Sequence, residues 1–204
     1  MGLLEPPDRE RGFKKERILR VLLNHPDGEH TKYRVAKLAD VTEAWVREYT
    51  ERLEEAGLVE DTRVLKPRKV YEPWSGDRID PNQLAVSLQQ PTALLAETPL
   101  QYGLTTYQAE NLHQGFLFAS TTDFYVSQGE IDDWLQIVED RGMLGGGNTR
   151  LRVLDDHVFY NSLSVNGVTT VSIPQLILDL LDEGGPCEEA AEKLIDSFHG
   201  DSQW

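Results

Sequence analysis

The stretch TKYRVAKLADVTEAWVREYTERLEEAGL, residues 31–58, constrains this chain most, because it spells two short helices separated by a tight turn. Thr31 is placed to cap the first, its hydroxyl accepting from a free N–H of the opening turn, and Val35, Ala36 and Leu38 give that helix one apolar side. The helix stops near Ala39, Asp40 and Val41 form the turn, and Thr42 caps the second helix. There Val46, Tyr49, Thr50 and Leu53 fall at i, i+3, i+4 and i+7, an inward stripe, and Gly57 stands at the C′ position where glycine ends a helix. Upstream, Phe13, Ile18, Val21 and Leu22 recur at helical spacing, which predicts a supporting helix from Phe13 to Asn24, with HPDGEH as its turn into Thr31.

Ala36 is small where the two helices would cross, and Val46 follows ten residues later. This spacing resembles that of the helix-turn-helix regulators, in particular the winged type, over residues 13–74. The family often has Gly where this chain has Asp40, and Asp is among the residues that tolerate a left-handed backbone. After Gly57, Leu58-Val59-Glu60 and Val70-Tyr71-Glu72 read as two strands, the wing, around a basic tip with Arg63, Lys66, Arg68 and Lys69. The resemblance implies that the helix over 43–56 enters the major groove of double-stranded DNA. Thr42, Ala44, Trp45, Arg47 and Glu48 are then the residues at the bases, with Arg47 reading guanine and Glu48 accepting from cytosine. Lys32, Arg34 and the basic wing residues are expected at DNA too, those of the wing on phosphates. A helical hairpin used only for packing or dimer contact is the alternative reading of the same pattern.

The length of 204 residues admits one large or two small domains. Residues 1–74 hold fifteen basic and fifteen acidic side chains, so the whole formal charge of −15 resides in the remainder. A chain this acidic is no general nucleic-acid coat, and any contact with DNA has to be confined to a locally basic face. Arg outnumbers Lys thirteen to seven beneath a large acidic excess, a balance similar to that of halophile-like acidic proteins from salt-loving cytoplasms. Cys187 is the one cysteine, and neither a charged-then-apolar leader nor an apolar run near 18 residues occurs, so a cytoplasmic protein with no membrane span is expected.

Residues 1–12 are expected as a flexible arm, from which Arg9 and Arg11 reach DNA, and EPWSGDRIDPN, with Pro73, Gly76 and Pro81, marks the boundary after residue 74. A linker with short helices, one over 82–90 and an apolar segment over 92–97, fills 75–101. The domain over 102–199 reads as a helix ending near Leu112, strands at 116–119 and 123–126, and a helix from Ser127 to Gly142 with Ile131, Trp134, Leu135 and Val138 inward. A loop at Gly145-Gly146-Gly147 follows, then three strands with turns at Asp155-Asp156 and Asn166-Gly167. Pro174 opens a helix that Gly184-Gly185 stops, a last helix runs from Pro186 to Phe198, and 200–204 is a tail. The expected fold class is α+β, an N-terminal winged helix-turn-helix followed by a domain with a small antiparallel sheet and flanking helices.

The run VSIPQLILDLLDEGGPCEEAAEKL, with Leu104-Thr105 and the segment from Asn148 to Tyr160, resembles the sensor or antitoxin part of winged-helix proteins related to the AbiEi family of type IV toxin–antitoxin systems. Gln175, Leu178, Asp179, Leu180, Gly184, Gly185, Ala190 and Ala191 stand at that family's Leu-Asp-Leu helix, glycine turn and Ala-containing helix. The resemblance implies an antitoxin-like regulator whose second domain binds a toxin or small effector. No catalytic residue, metal or cofactor is expected. The glycine triplet has no Lys-Ser/Thr after it, Asp155 and Asp156 are adjacent in a turn, and His25, His30, His113, His157 and His199 show no paired metal spacing. Asp179 is either on a polar helix face or buried against a partner, and Phe116, Phe118, Phe124, Tyr125, Phe159 and Tyr160 line either a core or a pocket. These observations together predict a sequence-specific DNA-binding transcription regulator, not an enzyme. They also predict a homodimer, with Leu176, Leu180, Leu194 and Ile195, or the first helix and arm, as its contacts.

Overall fold

Three helices open the computed structural model, which describes residues 3–8 and 10–200, and side-chain caps and left-handed turn residues set the second and third of them. These are α1 (Glu10–Asn24), α2 (Lys32–Leu38) and α3 (Glu43–Glu55). The Thr31 hydroxyl accepts from the Arg34 N–H and the Thr42 hydroxyl from the Trp45 N–H, the arrangement that satisfies orphan donors of a first turn. Asp40 adopts a φ of 50°, which lets the Val41 N–H reach the Ala36 carbonyl at 3.0 Å and close the end of α2. Arg17 of α1 donates to both the carbonyl and the carboxylate of Asp40, so the turn is held from the supporting helix. Gly57, with φ 66°, ends α3 in the same way, its successor bonding the Leu53 carbonyl at 2.9 Å.

The hairpin after α3 is shorter than expected. It consists of β1 (Val59–Glu60) and β2 (Arg63–Val64), antiparallel around an Asp61-Thr62 turn, with Asp27 bridging to Arg63 as a further strand position. Val70-Tyr71-Glu72, expected as the second wing strand, lies in α4 (Pro67–Asp77), which also absorbs the expected boundary and linker around Pro73 and Gly76. Pro67, Val70, Tyr71 and Trp74 are all buried, at i, i+3, i+4 and i+7. Burying side chains of that size is worth about 1.5–3 kcal/mol each, against about 3 kcal/mol for a proline inside a helix, so the periodicity prevails over Pro73.

Residues beyond α4 build one seven-stranded mixed sheet, larger than the small antiparallel one expected. In chain order the elements are β3 (Asn82–Leu88), α5 (Pro91–Glu97), β4 (Tyr102–Thr105), α6 (Thr106–His113), β5 (Thr122–Val126), α7 (Ile131–Arg141) and β6 (Gly142–Leu144). They are followed by β7 (Thr149–Val153), β8 (Leu163–Val165), β9 (Val168–Thr170), α8 (Ile173–Glu183) and α9 (Pro186–His199). The sheet order is β6-β3-β7-β5-β4-β9-β8, with β5–β7 and β4–β9 parallel and the remaining pairs antiparallel. Residues 82–88, expected as a helix, form β3 between β6 and β7, and residues 116–119, expected as a strand, are irregular. Phe124 and Tyr125 enter the core, while Phe118 is 93% exposed. The glycine triplet passes over β3, where a Cβ on Gly147 would lie 2.3 Å from the Val86 carbonyl oxygen. Close backbone approach is therefore what the glycine serves there.

The α1–α4 unit and the sheet unit share a polar, buried seam. Asp179 of α8 accepts from Arg78 at 2.7 Å, Tyr125 at 2.9 Å, Thr105 at 2.5 Å and Gln175 at 3.0 Å, and it has no exposed surface. Arg20 of α1, also buried, donates to Gln175 and to Nδ1 of His157, each at 2.9 Å. Nε2 of His157 donates to the Leu38 carbonyl at the end of α2, and Arg17 forks onto Asp155. Glu16 accepts from the Trp74 indole and the Ile79 N–H, and burial raises its pKa despite Arg20 nearby. At the N-terminus, Leu4 is buried and the Glu5 carbonyl accepts from Asn82, so this part of the expected flexible arm is docked on β3. Arg9 and the Arg11 side chain lie outside the described residues. Leu176, Leu180, Leu194 and Ile195 are all buried within the chain, which removes them as dimer contacts. Among the described residues no helix is long and apolar enough to cross a membrane.

Two stability effects follow. Asp179→Ala leaves the buried Arg78 charge only the more distant carboxylate of Asp182, 3.8 Å away, and is expected to cost about 3–5 kcal/mol in urea unfolding; a loss below about 1 kcal/mol would show that the carboxylate does not hold the seam. Burial and the Arg20 guanidinium push the His157 imidazole down to about 4, from an ordinary 6.5. The unfolded chain therefore takes up a proton that the folded chain refuses, so stability is full above pH 6.5 and falls as pH drops toward 4. His157→Gln should lose on the order of 2 kcal/mol less than wild type between pH 7 and pH 5, and identical losses in the two proteins would contradict the assignment.

Candidate nucleic-acid interface

The outward surface of α2 and the first turns of α3 is formed by Tyr33, Arg34 and Lys37 on one side of the Asp40 turn and by Thr42, Ala44, Arg47 and Glu48 on the other. All seven are exposed. Lys37 sits 5.6 Å from the Tyr33 ring centre, and Lys14 of α1 sits 5.2 Å from that of half-buried Trp45, so Trp45 carries a cation on its flank. Thr42 spends its hydroxyl on the cap of α3. Arg47 forks onto Glu43, one turn back, and Glu48 receives Arg52 in the same i,i+4 relation. Exposed pairs of this kind are worth no more than about 1 kcal/mol, so a phosphate or guanine edge competes readily for Arg47.

Charge along α3 is uneven. Its last two turns hold Glu51, Glu54 and Glu55 against Arg52 alone, and a phosphate backbone is repelled there. The first two turns, with Lys14 over Trp45 and Lys37 across the Asp40 turn, are the part of the helix that an anionic duplex can approach.

The remaining residues singled out in the sequence are dispersed. Lys32 lies 3.3 Å from Glu54 and 3.5 Å from Asp61, with its side chain 17% exposed, so it fastens α2 to the hairpin turn. Arg63 is exposed on β2, and the turn that was expected to be basic carries Asp61 and Thr62. The ammonium of Lys66 is 3.8 Å from a Cβ built on Gly57, which places it at the C-terminal end of α3, roughly 20 Å along the helix axis from Thr42. Arg68 reaches across the surface to Glu192 and Asp196 of α9, and Lys69 is exposed on α4. The four basic residues adjacent in sequence thus form no single cluster.

Sequence spacing also left out a convergence of side chains. His25 and His30 meet at the end of α1 with Glu29 between them, whereas His113, His157 and His199 lie apart, each hydrogen-bonded to partners of its own. The Pro26-Asp27-Gly28 reversal brings them together, with Gly28 at φ 75° packed on the Arg63 backbone. Beside the Asp40 turn lies a cleft of about 640 Å³, lined by Phe13, Lys14, Arg17, Asp155 and Gln128, among others. Compared with family models, curated proteins and solved structures, the chain matches none of them.

Proposed function

We propose that the chain is a sequence-specific DNA-binding transcription regulator of winged helix-turn-helix type, with α3 as the reading helix. The observation that carries this reading is the order α1–α2–α3–β1–β2 with an Asp27–Arg63 bridge, combined with an α3 whose capped N-terminal half stands exposed, with Lys14 over Trp45 and Lys37 exposed across the Asp40 turn. A helix presented in this way fits a major groove. Base reading falls to Arg47, with Glu48 and Ala44 beside it, and positioning on phosphate to Arg34, Lys37, Lys14 and the exposed Arg63. The sheet unit is the regulatory part. As a homodimer the protein reads two half-sites, through a surface other than the buried leucines of α8 and α9.

A second reading, an antitoxin-like regulator whose sheet unit holds a partner protein, is favoured by one observation. Phe118 and Phe116 protrude from the segment after α6, with Lys193 4.8 Å from the Phe116 ring centre, and an exposed aromatic pair of this kind suits a partner surface.

Selection of bound duplexes from randomised DNA, followed by a salt titration on the selected site, tests the first reading. Wild type should yield a defined logo, and Arg47→Ala should relax one base position of it at a cost of about 1–3 kcal/mol. Neutralising Arg34 and Lys37 should flatten the log–log salt slope by about 0.9 for each phosphate that is no longer neutralised, while Arg68→Ala, engaged with α9, should leave it unchanged. Glu43→Gln, which frees Arg47, should tighten binding. A chain that selects no logo, or an Arg68 variant as impaired as the Arg34 and Lys37 variants, would contradict the proposed face.

A further inference from the structure

We infer that His25, Glu29 and His30 form a binding site for a divalent ion of the zinc class, one that stands whether or not α3 reads DNA. One ligand atom from each of the three side chains lies within 4.8 Å of the others. Nδ1 of His25 is in hydrogen-bond contact with Oε1 of Glu29, and Nε2 of His30 is 3.6 Å from the same oxygen. The two imidazole rings are 4.3 Å apart between centres, tilted by 50°, so they converge without stacking face to face. Two imidazole nitrogens and one carboxylate oxygen make the donor set of an open tetrahedral site, whose fourth position takes water. Bonds of 2.0–2.1 Å put neighbouring donors about 3.3 Å apart, close to the His30–Glu29 separation. The His25–Glu29 contact has to open by roughly an ångström, and Glu29, with its side chain 58% exposed, is free to move outward.

The surroundings of the cluster are those a metal site requires. Nε2 of His25 is 2.8 Å from the hydroxyl of Tyr160, a residue of the sheet unit. With the ion on Nδ1, Nε2–H donates to that oxygen, giving the ligand the outer partner that metal-bound imidazoles ordinarily have. The ring of Tyr160 stacks on His157 at 5.1 Å and 5°, and His157 donates to the end of α2. The other ligand is anchored too, since the His30 carbonyl accepts from the Thr62 hydroxyl at the hairpin turn, at 2.6 Å. An ion at this position therefore ties the end of α1, the hairpin turn and the sheet unit together. Imidazole donors select zinc, cobalt, nickel or copper over magnesium or calcium, which prefer all-oxygen sites.

The test is a titration of the tag-free full chain with Co²⁺, read by its visible ligand-field bands, then displacement with Zn²⁺. Wild type should bind one equivalent with the spectrum of a nitrogen-ligated site, and Zn²⁺ should abolish it. His25→Ala and His30→Ala should give no bands at the same concentrations, while His113→Asn, remote from the cluster, should titrate as wild type. Glu29→Gln alters an exposed side chain and leaves both rings in place, so it separates loss of a ligand from loss of the fold; it and Tyr160→Phe should each weaken Co²⁺ by about 10-fold or more. A wild-type chain that develops no bands, or bands that persist in both histidine variants, would overturn the site.

Discussion

The buried carboxylate of Asp179 is the constraint on which the arrangement of the two units depends. It cannot remain in the interior as an unpaired charge, since an unpaired ion there costs several kcal/mol. Its donors come from the residue after α4, from β4, from β5 and from one turn back in α8, so each of those elements has to be in place for the charge to be met. Arg20 extends the network from Gln175 to His157, and from there to the last carbonyl of α2. The end of α2 and the middle of α8 are thus linked by one series of buried polar contacts. Such a network places the sheet unit in a fixed orientation relative to α3, whereas two domains on a linker would be free to reorient.

The parts of this architecture legible in the sequence are those set by local chemistry. Thr31 and Thr42 as caps, Asp40 and Gly57 as left-handed residues, the Asn166-Gly167 turn and the glycine stop after α8 all act within a few residues of themselves, and each stands in the structure where local chemistry puts it. The elements that local chemistry leaves illegible depend on distant partners. Leu84, Val86 and Leu88 alternate in β3 as a strand requires, but only its end is well buried, and its place in the sheet is fixed by β6 and β7, some sixty residues on. Pro73 and Gly76 suggest a break, yet the i, i+3, i+4, i+7 pattern of Pro67, Val70, Tyr71 and Trp74 is present in the same stretch and outweighs them. Of the expected site, Arg34, Ala44, Arg47 and Glu48 are all exposed, but nothing local in the sequence shows that Lys32 is engaged by Glu54 and Asp61 or Arg68 by Glu192 and Asp196.

Charge bears on function through its placement more than its sum. The acidic excess lies in the sheet unit and in the last two turns of α3, so on the proposed reading the duplex has to approach from the Lys14, Arg34 and Lys37 side. Interior carboxylates are treated differently from those on the surface. Asp123 and Glu183 share Arg150 and Arg152, as Asp179 takes Arg78, so much of the small basic complement of the sheet unit is consumed inside it. Its surface is left nearly all acidic, which favours hydration and opposes non-specific contact with nucleic acid.

The central claim is that the buried polar seam makes the α1–α4 unit and the sheet unit one cooperative body. Differential scanning calorimetry of the full chain tests it most directly. One endothermic transition is expected, with a calorimetric enthalpy equal to the van't Hoff enthalpy, because neither unit can release Asp179, Arg78 or Arg20 without exposing the other's unpaired polar groups. Two resolved transitions, or a calorimetric enthalpy well above the van't Hoff value, would contradict it and return the chain to two independent domains.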